Sequence, residues 1–360
     1  MKLLGVHVIS ADSHTAKEGA AVQWFWIVLL TLLRIYFIFV TLRTDAWGLI
    51  HISSSGLVEQ SMAILMQLPF FALLLTPWLF QAHKVRILRM FSDLERFDAE
   101  IAKLCCCRNY QVHHLLGSLS TVMCCIFHPI FLAGIRGVEF WSDHFMAGAF
   151  MSYCWSGGIC FYMMFNLLLY FVWTRAETIN HVLKKLTYRI DSECDVQETL
   201  RLIRTLRKLQ DKLCDVTHDC SVSYGTPMVM LMIHILVSLL VATFAFLRVV
   251  FYRYIAAEAY DAAFYMVGTV LYSALSIMSI ALAGELRKCS INTWKLVHRL
   301  INLTTSAEIE DELQWLSEQM SHRLPSIDLL FFDVDWLLLV RATGELATYL
   351  IIMIQFDAIQ

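Results

Sequence analysis

Apolar residues in this chain gather in long runs separated by stretches rich in charge, a pattern unlike the short alternations of a water-soluble core. A helix needs about 20 apolar residues to cross the hydrocarbon interior of a bilayer. Seven runs reach that length, roughly Val22–Leu42, Leu57–Phe80, Leu115–Ile135, Phe145–Trp173, Thr226–Phe251, Ala262–Gly284 and Leu329–Phe356. The pattern predicts an all-α, polytopic membrane protein with seven transmembrane helices.

After the fourth run the pattern changes rather than stopping. Ile179, Val182, Leu183, Leu186 and Ile190, then Ile203, Leu206, Leu209, Leu213 and Val216, recur at helical spacing through a charged background. Leu296, Leu300, Ile309, Leu313 and Leu316 repeat the habit after the sixth run. An apolar stripe on a charged helix requires a partner. These helices are expected to pack into an anchor bundle continuous with the spans; the alternative is helices lying on the lipid surface, which carry the same kind of stripe.

Composition agrees with a membrane protein: 58% of the 360 residues are hydrophobic, and the net charge of −3 gives no hint of nucleic-acid binding. The placement of Lys and Arg is more informative. The segments before the first run and after the second, fourth and sixth hold 22 of them, against 3 on the other side of the membrane. Basic loops stay in the cytosol, so the N-terminus is expected inside and the C-terminus outside. The implied map is 1–21 cytosolic, 22–173 helices one to four, 174–225 a cytosolic helical extension, 226–284 helices five and six, 285–328 a cytosolic helical segment, 329–356 the seventh helix, and 357–360 an extracellular tail. The short apolar start is broken by Ser10, Asp12 and His14, so no cleaved leader is expected.

Chemistry-bearing residues do not assemble into an enzyme. His113, His114, His128 and His234 follow no metalloenzyme spacing, and neither a glycine-rich phosphate loop nor a nucleophile elbow occurs. No cofactor is expected. Eleven cysteines are present, but none falls in an external loop, so no disulfide is expected; Cys214, His218 and Cys220 fall within two helical turns without a fourth ligand for a metal. Asn302-Leu303-Thr304 fits a glycosylation acceptor but falls on the cytosolic side, where it stays unmodified.

Charge inside the spans says more, because an Arg at mid-membrane costs about 2.5 to 3.5 kcal/mol and requires a partner or water. Arg34 and Arg341 fall near the centres of their predicted runs. In the last run Arg341, Glu345, Thr348, Ile352 and Gln355 lie within about 80° of one another at 100° per residue. Either this stripe faces a water-filled pore formed by several copies, or Arg341 and Glu345 form an ion pair buried against helices of the same chain.

The run's end, Thr348-Tyr349 followed by five apolar residues and Gln355-Phe356, resembles the C-terminal signature of the insect gustatory receptors, relatives of the odorant receptors. Pro325-Ser326-Ile327-Asp328 and Phe331-Phe332-Asp333-Val334-Asp335 are similar to the family's approach to its last helix. The resemblance implies a ligand-gated cation channel in the plasma membrane of chemosensory neurons, a homotetramer or heterotetramer opened by a small external tastant. It implies a seventh helix in two pieces, one near Glu308–His322 and then, past a break at Pro325, a pore helix with Gln355 and Phe356 at its narrowest point. The family's ligand pocket lies inside each subunit, in the outer half of the first six spans. Candidates at that depth are Glu59, Gln60, His128, Phe150, Tyr153, Trp155, Phe246, Tyr265 and Tyr272. Arg341 and Glu345 depart from the family, whose corresponding turns are apolar or small. Two other readings compete. A receptor coupled to a G protein would have its N-terminus outside, and a transporter would use Arg34 and Arg341 along a solute path.

Overall fold

The computed structural model describes residues 16–43, 74–104, 157–188, 195–252, 256–329 and 332–358. Its elements are α1 (Ala16–Arg43), α2 (74–82), α3 (Lys84–Leu104), α4 (Gly157–Tyr188), α5 (Val196–Tyr252), α6 (Ala256–Leu303), α7 (Ala307–His322), a hairpin of β1 (Asp328–Leu329) and β2 (Phe332–Asp333), and α8 (Trp336–Ala358). Four of these, α4, α5, α6 and α8, are long and apolar enough to cross a membrane, and α1 contributes a shorter apolar stretch at Trp24–Tyr36. Most of the second expected run and all of the third lie outside the described residues.

The stripes read from the sequence are the buried faces of the charged half. Ile179, Val182, Leu183 and Leu186 of α4 and Ile203, Leu206, Leu209, Leu213 and Val216 of α5 are buried in one core with Leu300, Ile309, Leu313 and Leu316. This favours the bundle over helices lying on lipid; Ile190 falls outside the described residues. α5 runs unbroken for 57 residues, roughly 85 Å at 1.5 Å per residue, and carries Pro227 within it. It packs against α3, α6, α7, β1 and α8.

The segment holding Lys84, Arg86 and Arg89, expected only as a charged loop, is the helix α3. Ile87, Met90, Leu94, Phe97 and Ile101 are buried at alternating steps of three and four, a stripe legible in the sequence. Charge pairs fix it to its neighbours. Arg175 of α4, its side chain only 3% exposed, donates from Nε to Asp98 Oδ1 at 2.9 Å and from Nη2 to Asp98 Oδ2 at 2.5 Å, and Lys212 of α5 donates to Glu100 at 2.8 Å. Nearer the apolar half, the rings of Phe80, Phe161, Phe165 and Tyr224 join α2, α4 and α5 at centroid distances of 5.3 to 5.9 Å.

α4 and α6 are joined by the same polar clamp used twice. Asn166 Nδ2 donates to the Leu275 carbonyl at 3.1 Å, and Ser279 Oγ, also within reach of that carbonyl, donates to Asn166 Oδ1 at 2.6 Å. Fourteen residues along both helices, Asn180 Nδ2 donates to the Cys289 carbonyl at 2.9 Å and Thr293 Oγ1 to Asn180 Oδ1 at 2.6 Å. Constant pairing over two heptads means the two helices run parallel in register at 3.5 residues per turn, the geometry of a left-handed supercoil.

The junction between α7 and α8 departs from expectation. α7 stops at His322 ahead of Pro325, as a residue without an amide donor requires. The last helix, expected from Leu329, begins at Trp336, because Asp328–Leu329 and Phe332–Asp333 pair as a hairpin and Asp335 Oδ1 accepts the Leu338 amide at 3.0 Å, capping the helix. Arg323 donates to Asp211 and Asp215 of α5 at 3.2 and 2.7 Å, and Ser290 of α6 donates to the Pro325 carbonyl at 3.3 Å. Arg287 lies 3.5 Å from Asp335. The linker is thus bolted to both α5 and α6.

Candidate functional site

Two features in the apolar half carry chemistry. The first is a buried polar and aromatic cluster where α4, α5 and α6 meet. Tyr162, His234 and Tyr272 are all buried. The Tyr272 ring stands edge-to-face with Tyr162 and with His234, each centroid 6.5 Å away, the arrangement aromatic quadrupoles prefer. Ser238 Oγ is 3.4 Å from both ring nitrogens of His234. Gly158 makes room for it: a Cβ there would meet the Tyr272 hydroxyl at 3.0 Å. Ser273, beside Tyr272, has a buried hydroxyl with no hydrogen-bond partner among the described residues.

Of the expected pocket residues, Tyr272 lies in this cluster. Phe246 is exposed on α5. Tyr265 belongs to α6, but its side chain is outside the description, as are Glu59, Gln60, His128, Phe150, Tyr153 and Trp155 altogether. Gly158, Tyr162 and His234 were not singled out for a pocket. His234 could have been, as a polar residue inside the apolar run Met228–Leu240 of α5.

The second feature is α8. No residue in its membrane-length window is buried within the chain, against 72% of the corresponding window of α4. Arg341, Glu345, Thr348, Ile352, Gln355 and Phe356 are all exposed, as is Tyr349. The ion pair buried against the chain's own helices is not found: neither Arg341 nor Glu345 is buried, and no ion pair joins them. The later start at Trp336 also moves Arg341 from mid-helix to the second turn. α8 touches the rest of the chain at its base, where the Trp336 indole approaches Gly284 closely enough that a Cβ there would sit 3.2 Å from Nε1.

The cysteines correct one expectation. Cys160 of α4, near the middle of the expected run Phe145–Trp173, is disulfide-bonded, against the expectation that no disulfide forms. Cys214 and Cys220 are buried while His218 is exposed, and among the described residues no group of His, Cys, Asp or Glu converges on a metal position. Burial pushes the Cys214 thiol up to about 12.

The fold and its two polar features define a helical membrane protein. Residues 1–360 match the family model described as 7tm chemosensory receptor, and the chain belongs to that family. Gustatory receptor 28b of Drosophila melanogaster is 33% identical over 96 residues, 26% of this chain and 20% of that relative. Gustatory receptor 28a of the same species is 32% identical over 99 residues, 26% of this chain and 21% of the relative. The match thus spans about a fifth of the length of these relatives. In fold, the chain is similar to the insect olfactory receptor OR5 from Machilis hrabei, with a TM-score of 0.68 at 13% identity, covering 99% of this chain and 95% of that one. The structure of the same receptor in complex with eugenol matches with a TM-score of 0.56 at 12% identity, covering 98% and 96%.

Proposed function

We propose that this chain is a gustatory receptor acting as a ligand-gated cation channel, opened from outside by a small organic tastant. The observation that carries this reading is α8: a helix of membrane length with no fully buried residue in its apolar window, which nevertheless aligns polar groups along one face. Water between several copies accounts for such a face, whereas lipid on all sides does not. In this reading four copies, identical or related, surround a pore lined by Arg341, Glu345, Thr348, Ile352, Gln355 and Phe356. Ile352 and Phe356 exclude water when closed, since a ring of apolar side chains gates by dewetting. Residues 1–21, the extension 174–225 and the segment 285–328 lie in the cytosol, and 357–360 lie outside a neuron's plasma membrane.

The ligand site in this reading is the cluster of Tyr162, His234 and Tyr272, lined by aromatic faces and a few polar groups as small-molecule sites are. The eugenol complex of the Machilis receptor supports a small aromatic organic ligand as the first class to test. The test is recording current from cells expressing the chain during application of small phenols and sugars. A ligand-evoked cation current whose conductance or block changes in Gln355→Ala supports the reading. An evoked current unchanged in that variant, with normal surface expression, would remove α8 from the pore.

A further inference from the structure

We propose that Glu345 of each copy pairs with Arg341 of the neighbouring copy, so that a ring of intersubunit ion pairs closes the inner half of the assembly; the inference rests on the channel reading above. Glu345 is the residue that requires a partner. Arg341 stands about 7.5 Å along α8 from Trp336 and can snorkel toward the inner interface, but the shorter Glu345 side chain stands about 13.5 Å along, one turn deeper. A carboxylate at that depth needs a cation or water.

Among the described residues its own chain does not supply that cation. Glu345 is exposed, and Arg341, one turn before it, is not paired with it; Arg placed N-terminal to Glu is also the weaker order for a pair four residues apart. A second copy does supply it. The two charges differ by about 40° around the helix, so in a ring the Glu345 side of one copy meets the Arg341 side of the next, a heterologous contact that closes on itself. Gly344 lies about 60° around the helix from Arg341, on the side away from Glu345, and a Cβ at that position would meet nothing within 4 Å. That leaves bare backbone against which another helix can pack closely, as small residues allow in membranes. Paired in this way, the arginines no longer present a ring of net positive charge to a passing cation.

The test uses the full chain with two different tags and measures how much of one tag is captured with the other after mild solubilisation. Arg341→Glu makes every α8 doubly acidic and Glu345→Arg makes it doubly basic. Each variant expressed alone should lose about tenfold in capture through like-charge repulsion. Co-expression of the two should restore capture to near the native level, because acidic and basic helices then alternate. Recovery only when both substitutions share one chain, and not on co-expression, would place the pair within a chain. Native capture by each single variant would show that no such pair holds the copies. Either result overturns the proposal and leaves the channel reading standing. Absence of capture between native copies would overturn both.

Discussion

The α4–α6 seam and α8 solve the same problem in opposite ways. Both place polar side chains in helices long and apolar enough to span a membrane. In the seam both asparagines are met by the same chain: Asn166 by Ser279 and the Leu275 carbonyl, Asn180 by Thr293 and the Cys289 carbonyl. On α8, Thr348 is satisfied by its own Gly344 carbonyl at 3.0 Å, while Arg341 and Glu345 stay exposed and unlinked to each other. The seam holds one chain together. α8 is attached at its base and has its free face turned toward whatever lies beyond the chain.

This contrast breaks if polar changes in the two regions have the same consequences. The largest effect should come from the charge pair beside the seam. Asp98→Ala takes the carboxylate away from the buried Arg175 guanidinium and should lower stability by about 3 kcal/mol, read as a lowered melting transition in the solubilised chain. Asp98→Leu with Arg175→Met should recover most of it. Next, Asn180→Ala removes the hydrogen bonds that tie α4 to Thr293 and to the Cys289 carbonyl, leaving the Thr293 hydroxyl that carbonyl alone at 3.0 Å, and should cost about 1 kcal/mol. Asn166→Ala, within the span, should cost about 0.6 to 1.7 kcal/mol, since the unfolded chain in a membrane also finds polar partners. Against these, Glu345→Gln and Thr348→Ala should leave the melting of a single chain within about 0.5 kcal/mol of native while altering conductance.

At the joint between the regions, Gly284→Leu forces the Trp336 indole away from α6 and should shift basal current more than it shifts stability. The smallest effect concerns the hairpin below α8. Burial, with the facing Asp333 carboxylate next, raises the Asp328 carboxyl above its ordinary value. A carboxyl raised in the folded state favours folding in acid, and that contribution is lost as pH rises through the raised value. Asp328→Asn should therefore slow hydrogen exchange of the Val334 amide, which donates to the Ile327 carbonyl, at neutral pH and not in acid.

Much of this architecture was legible because it is written in local periodicity. The stripes of α4, α5 and α7, the break before Pro325 and the polar face of α8 are spacings within one helix, and helical geometry converts spacing into faces. What the sequence did not disclose depends on residues far apart in the chain. Asn166 is a single letter in an apolar stretch and Asn180 one in a charged stretch until Ser279 and Thr293, 113 residues later, give them meaning. His234 likewise becomes part of a cluster only beside Tyr162 and Tyr272. The hairpin displaced the expected start of the last helix because apolar content alone does not distinguish Leu329 in a strand from Leu329 in a helix. The α3 stripe is a different case, since its spacing was present but overshadowed by basic residues.

The central claim is that the polar stripe of α8 faces water shared between copies. Its most direct measurement is the block of ligand-evoked current by a small, charged, membrane-impermeant thiol reagent applied from outside, in chains carrying one new cysteine on α8. Thr348→Cys, Ile352→Cys and Gln355→Cys should each be blocked by the reagent, with Gln355→Cys modified fastest. Leu350→Cys and Ile354→Cys, roughly 140° or more around the helix from that stripe's centre, should behave as the native chain does. Equal modification at all five positions, or at none, would contradict the account.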